Sequence, residues 1–198
     1  MWAGSVTGPL APPGRYTVEL TVNGEAHSAS FSFVKDPRTA ATQADLDAQF
    51  ALLRQIRDKL SETHDTILSI RAIRQQVDGW VERTKGSEQA DAIAAKAKTL
   101  RDALTEIENE LTQTRSKAHE DPLNFPIQLN NKLAALAGVV ASADAAPTEG
   151  SRGVFTDLST RVDLQLGQLR EILASELADF NAAVQATDLP PVVIPPSH

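Results

Sequence analysis

The chain changes its hydrophobic period once. From Tyr16 to Phe33 apolar and polar residues alternate, with Tyr16, Val18, Leu20 and Val22 in one run and Phe31 and Phe33 in the next. Alternation of this kind marks β-strands that bury one face. From Leu46 onward apolar residues recur at spacings of three and four, the pattern of amphipathic helices. Between the two strand runs stands Asn23-Gly24, the strongest short signal for a two-residue type I′ turn, which needs positive φ at both positions. That turn predicts the register: Leu20 opposite His27, Val18 opposite Ala29 and Tyr16 opposite Phe31. Thr17, Glu19, Thr21, Ser28, Ser30 and Ser32 then share the other face, and His27 reads as a partly buried strand residue. A two-stranded ribbon with one apolar face is marginal in water. Either the helices cover it or further strands do so in a longer protein.

The helical part begins at Thr42, an N-cap with Asp45 three residues on. Counted in heptads, the first seam holds Leu46, Leu53, Ile56, Leu60, Ile67, Ile70, Val77 and Val81, interrupted by Gln49, Thr63 and Arg74. Arg83 and Lys85 suit the negative helix end and Gly86 supplies the stop. Ser87 is the expected cap of a second, antiparallel helix with the seam Ala90, Ile93, Ala97, Leu100, Leu104, Ile107 and Leu111. The prolines of "HEDPLNFPIQLNN" break the next stretch, and Pro126 suits the first position of a third helix, striped by Leu129, Leu133, Leu136 and Val140. A small-residue loop, "ASADAAPTEGSRG", separates it from a fourth helix carrying Phe155, Leu158, Val162, Leu166, Leu169, Leu173, Leu177, Phe180 and Val184. The tail "DLPPVVIPPSH" is held out of helix by its prolines. The expected fold is therefore mainly α: an antiparallel four-helix bundle of long, unequal helices preceded by a β-hairpin. Its parts are the hairpin at 1–38, the bundle at 39–188 and the extended tail at 189–198.

Composition narrows the function by exclusion. The net charge of −7 argues against a grip on nucleic acid or on an anionic membrane surface, both of which need concentrated Lys and Arg. The chain has no cysteine, so disulfides, thiolate nucleophiles and cysteine metal sites are all excluded. No apolar run approaches the roughly 18 to 20 residues of a membrane span, and "MWAGSVTGPLAPPG" lacks the basic start and apolar core of a signal peptide.

No motif assembles chemistry. The Glu-x-x-His pairs of metal-binding bundles are absent. The nearest approaches, His64-Asp65 and His119-Glu120-Asp121, put neighbours on diverging sides of a helix, and His198 is a tail end. Glu106, Glu108 and Glu110 read as a solvated face. Gln49, Thr63 and Arg74 could line a polar pocket, but residues of this kind more often mark register. The glycines of "EGSRGVF" fit a helix stop and start better than an anion-binding turn. Trp2 and Trp80, the only tryptophans, lie too far apart in sequence to suggest a sugar platform. Accordingly no catalytic, metal or cofactor-binding residue is assigned and no cofactor is expected.

Several stretches together, "WAGSVTGPLAPPGRYTVELTVNGEAHSASFSFVKDPR", "DLDAQFALLRQIRDKL", "DPLNFPIQLNNKLAAL", "PTEG" and "DFNAAV", resemble the C-terminal region of large bacterial Asp-box repeat proteins of the glycosyl-hydrolase-like or sortilin-like kind. The resemblance covers essentially the whole chain. It implies an upstream β-propeller, then an Ig-like β-domain whose last strands carry the "PGxYTVxLTVxG" signature, then this helical region. It further implies an exported parent protein and a non-catalytic structural or protein-interaction role for this part, whose partners are the upstream domains or another protein. A carbohydrate-binding accessory role and an autonomous, oligomerising bundle are the alternatives. No S-x-D-x-G-x-x-W box occurs in this chain, so the propeller's activity does not come with the resemblance.

Overall fold

The structure, a computed structural model, describes residues 8–118 and 120–187. Its order is β1 (Gly14–Val22), β2 (Glu25–Phe33), α1 (Gln43–Arg83), α2 (Ala90–Leu111), α3 (Leu129–Val140), α4 (Glu149–Ala174) and α5 (Glu176–Gln185), with one turn of 3₁₀ helix at Asp121–Leu123 between α2 and α3. The chain is thus mainly helical behind a two-stranded antiparallel hairpin. Asn23 and Gly24 both have positive φ, 52° and 87°, as the turn requires. The strand pairs are those that turn predicts, including Leu20 with His27, Val18 with Ala29 and Tyr16 with Phe31.

α1 starts where the cap signal stands. The Thr42 side chain accepts from the Asp45 backbone N–H at 3.2 Å, and Asp45 Oδ2 accepts from the Thr42 N–H at 2.8 Å, a complete capping box. Thr42→Ala is expected to cost about 1 kcal/mol, read as a lowered midpoint in urea unfolding followed by helical circular dichroism. At the other end Gly86, with φ of 83°, stops the chain as expected.

Cross-helix contacts place the elements along α1. Asp78 pairs with Arg101 at 2.6 Å, and Glu108 reaches back to Arg71 and Arg74, so α2 runs antiparallel beside the C-terminal half of α1. Gln49 donates to the carbonyls of Val140 and Ala143 at 2.7 and 2.6 Å, which sets α3 beside the N-terminal half. α4 runs back along both, with Lys59 meeting Asp163 at 2.7 Å, and α5 continues to the level of Lys96 through Asp179. α2 and α3 therefore follow each other along one side of α1 and α4 packs on another, while α5 lies against α2.

This arrangement explains where the buried face of α1 departs from a strict heptad seam. Leu52, Ile73 and Trp80 join the core, whereas Leu60 and Val81 are only half-buried against it. A helix flanked on two sides needs a wider apolar stripe than a coiled-coil seam supplies.

Several helix boundaries differ from expectation. Ser87 is not the cap of α2, which begins at Ala90 after Gln89 without a side-chain bond; the Ser87 carbonyl instead accepts from the Ala90 N–H at 3.2 Å. Pro126 is not the first residue of α3, which starts at Leu129. The turn that uses a proline in its first positions is the 3₁₀ turn at Asp121–Leu123, where the Asp121 carboxylate accepts from the N–H groups of Lys117 and Ala118. The glycine-containing "EGSRG" is not loop: Thr148 caps α4 by accepting from the Ser151 N–H at 3.1 Å, so Gly150 and Gly153 lie within the helix. The fourth helical segment is broken at Ser175 into α4 and α5. There the Ser175 hydroxyl donates to the Glu171 carbonyl at 2.9 Å, a back-bond that bends helices. The expected tail at 189–198 lies outside the described residues.

Candidate functional site

Every helix buries its apolar stripe, and the hairpin does not. Val18, Leu20, Val22, Phe31 and Phe33 are 47–62% exposed on one face, with Tyr16 half-buried beside Phe31 at a ring separation of 6.0 Å. No described residue of the helices covers this face. It leaves on the order of 500 Å² of apolar surface in water, an area at which exposed patches mark interaction sites. His27, expected to be partly buried, is exposed, because nothing packs over its strand. The opposite face is polar, and Thr17 and Ser30 share a hydrogen bond across it at 3.2 Å.

One bond fixes the entry to the ribbon. The Tyr16 hydroxyl donates to the Pro12 carbonyl, four residues upstream, at 2.5 Å. The chain before β1 is thereby pinned against the base of the strand. Beyond β2, the Lys35 ammonium donates to the carbonyls of Thr39 and Ala41, and Gln43 Nε2 donates to the Pro13 carbonyl at 3.0 Å. These contacts tether the ribbon to the first turn of α1 through backbone atoms at its base, leaving the apolar face free.

The three polar residues of the α1 seam each have a structural account. Gln49 ties down the end of α3, as described. Thr63 is fully buried, its hydroxyl donating to the Lys59 carbonyl at 2.8 Å. Arg74 donates to Glu108 at 2.7 Å and to Thr105 at 3.3 Å.

Glu108 is the residue that sequence reasoning misplaced. Instead of joining Glu106 and Glu110 on a solvated face, it is 3% exposed and takes Arg71 and Arg74 on separate oxygens at 2.6 and 2.7 Å. Burial pushes its carboxyl up, but the hydrogen bonds and charges of the two guanidiniums together outweigh that, and it sits below the ordinary glutamate value. A signal was present: Glu108 is four residues after Leu104 and three before Leu111, on the stripe itself.

Glu106 and Glu110 do face solvent. They line an open groove of about 760 Å³ between α2 and the α4–α5 bend, together with Glu171 and Glu176. No group of three or more His, Cys, Asp or Glu among the described residues could hold a metal ion, and none of their helices is long and apolar enough to cross a membrane. His64 is exposed beside a half-buried Asp65. His119, His198 and Trp2 lie outside the described residues. Trp80 is 2% exposed in the core, with the Arg83 guanidinium 4.3 Å from its ring, so it offers no face to a sugar. The candidate site is the apolar face of the hairpin.

Comparison with family models, with curated proteins and with solved structures finds no match to this chain.

Proposed function

We propose that this chain is a non-catalytic structural and protein-interaction module, an antiparallel bundle of four helical segments carrying at one end the closing hairpin of an Ig-like β-domain. The observation that carries this reading is the bond from the Tyr16 hydroxyl to the Pro12 carbonyl. A tyrosine near the start of a strand, bonded to backbone a few residues upstream, is the tyrosine corner of Ig-like sandwiches, where it secures the crossing between two sheets. Here it sits on a ribbon whose apolar face and strand edges meet no second sheet among the described residues. Strands that complete the sandwich would supply both the inner layer and the missing ladder. Together with the resemblance of the motifs, this supports reading the module as the C-terminal region of an exported Asp-box propeller protein of the glycosyl-hydrolase-like or sortilin-like kind, with the upstream domains as its first partners.

The test is to compare thermal unfolding of the full chain with that of residues 40–198. If the hairpin belongs to another folding unit, the two helical transitions coincide to within about 1 °C. A fall of roughly 5 °C or more, equivalent to 1 to 2 kcal/mol at this size, would make the hairpin part of the bundle's own fold and end the proposal.

A further inference from the structure

We propose that Asn23, at the tip of the ribbon, is a site of spontaneous modification, where the side chain closes on the Gly24 amide and then opens to aspartate or isoaspartate. This holds whatever covers the apolar face. Hydroxide takes the proton of the Gly24 amide, and the nitrogen bonds to the side-chain carbonyl carbon of Asn23. The side-chain nitrogen leaves as ammonia, taking a proton from water and restoring the hydroxide. Water then opens the five-membered succinimide. Attack at the side-chain carbonyl gives an aspartate in a normal chain, and attack at the main-chain carbonyl gives isoaspartate, with the chain rerouted through the side chain. The sum is asparagine plus water to acid plus ammonia, and no redox partner is needed.

The turn permits the attack through one rotation. Flipping the peptide plane between Asn23 and Gly24 converts type I′ into type II′, which keeps the first turn residue at positive φ and changes only ψ of Asn23 and φ of Gly24. Asn23 already has φ of 52°. Glycine accepts either sign of φ, and a Cβ built on Gly24 would have nothing within 4 Å. The rotation carries the Gly24 nitrogen to the Cβ side of Asn23, where the amide carbon can reach it. Both turn types keep Val22 paired with Glu25, so the flip breaks no ladder bond. Both residues are exposed, so hydroxide and water have access.

The other asparagines are held differently. Asn23 alone is followed by glycine. Asn109 and Asn181 lie inside α2 and α5, where the following amide is fixed by the helix. After Asn124 the Phe125 N–H donates to the Asp121 carbonyl, and after Asn131 the Lys132 N–H donates to the Gln128 carbonyl. The Asn131 N–H donates to the Asn130 side-chain oxygen, and the Asn130 side-chain nitrogen donates to the Thr112 hydroxyl.

The two products differ in consequence. Asp-Gly also suits a type I′ turn, so the aspartate form keeps the ribbon. Isoaspartate adds a main-chain atom between Val22 and Glu25, for which a two-residue turn has no place. At the base the Tyr16 bond to Pro12 and the Gln43 bond to Pro13 remain, so the loss falls on the tip. There Val18, Leu20 and Val22 leave the common face, and since the rerouted bond does not revert by itself, the change runs one way.

The test is to incubate the 198-residue chain at mildly alkaline pH, folded and in urea, and to follow its asparagine peptides by mass spectrometry. The expected result is conversion of Asn23 in the folded chain within about a hundredfold of its rate in urea, the most that a strained turn residue adds to the barrier. The other five asparagines stay unchanged over the same period. An Asn23 that converts more slowly than this in the folded chain overturns the assignment of the site. NMR of the two products, separated by chromatography, then reads the ribbon. The isoaspartate form is expected to lose the cross-strand contacts of Leu20 with His27 and Val18 with Ala29, while the aspartate form and the Asn23→Asp variant keep them. Contacts intact in the isoaspartate form, or lost in the variant, overturn the one-way loss of the face.

Discussion

Replacing Glu108 with alanine is expected to destabilise the bundle by about 3 kcal/mol, a fall in melting temperature of roughly 6–12 °C at this chain length. Among the described residues the carboxylate is the only acceptor for Arg71 Nε and Arg74 Nη1, and it joins α1 to α2 through both. Its side chain is 4% exposed, against 53% for Arg71 and 26% for Arg74. Without it the arginines regain part of their hydration, so the loss stays at the lower end for a broken buried pair. Since the folded-state pKa lies below the ordinary value near 4.5, the contribution is complete above that value and is lost as pH falls through the folded one. Glu108→Gln should therefore flatten the acid limb of a stability-against-pH curve measured by urea denaturation. An unchanged acid limb would mean that other carboxylates govern it.

Trp80→Ala is expected to cost about 4 kcal/mol, the larger of the two effects. The side chain is buried where α1 meets α2, and its own carbonyl accepts from the buried Thr84 hydroxyl at 2.9 Å. Truncation opens a large cavity in a part of the core held on several sides, where collapse is limited. Circular dichroism melts of the variant measure it directly. Were Trp80 instead a surface ring for carbohydrate, the melt would hardly move and glycan-array binding would fall; the expected pattern is the reverse.

These two sites differ in how far they were legible. Trp80 lies one residue before Val81 in the expected seam and three after Val77, so its burial follows once α1 is known to be flanked on two sides. Nothing local encodes that number of flanks. The hairpin register was readable because Asn23-Gly24 and the period of two both act within a few residues. Helix ends were less so: Ser87 and Pro126 are good terminal residues in the abstract, yet α2 and α3 start at Ala90 and Leu129 with no side-chain cap, while the side-chain bonds to backbone formed at Asp121 in the 3₁₀ turn and at Thr148 before α4. The place of Glu108 on the stripe was readable, but its pairing was not. Its partners lie 34 and 37 residues away, and only the antiparallel register of α1 and α2 brings them to its level. The candidate site was legible as a pattern, the apolar run on an unsupported ribbon, while the Tyr16 bond at its base depends on backbone geometry no spacing reveals.

α1, 41 residues and about 60 Å long, is rooted at the ribbon through Lys35, Thr42 and Gln43 and stiffened by α2, α3 and α4 along its length. In mechanical language it is a lever arm with its fulcrum at residues 34–42. A tilt of one degree there carries the far end, at the level of Trp80, through about 1 Å.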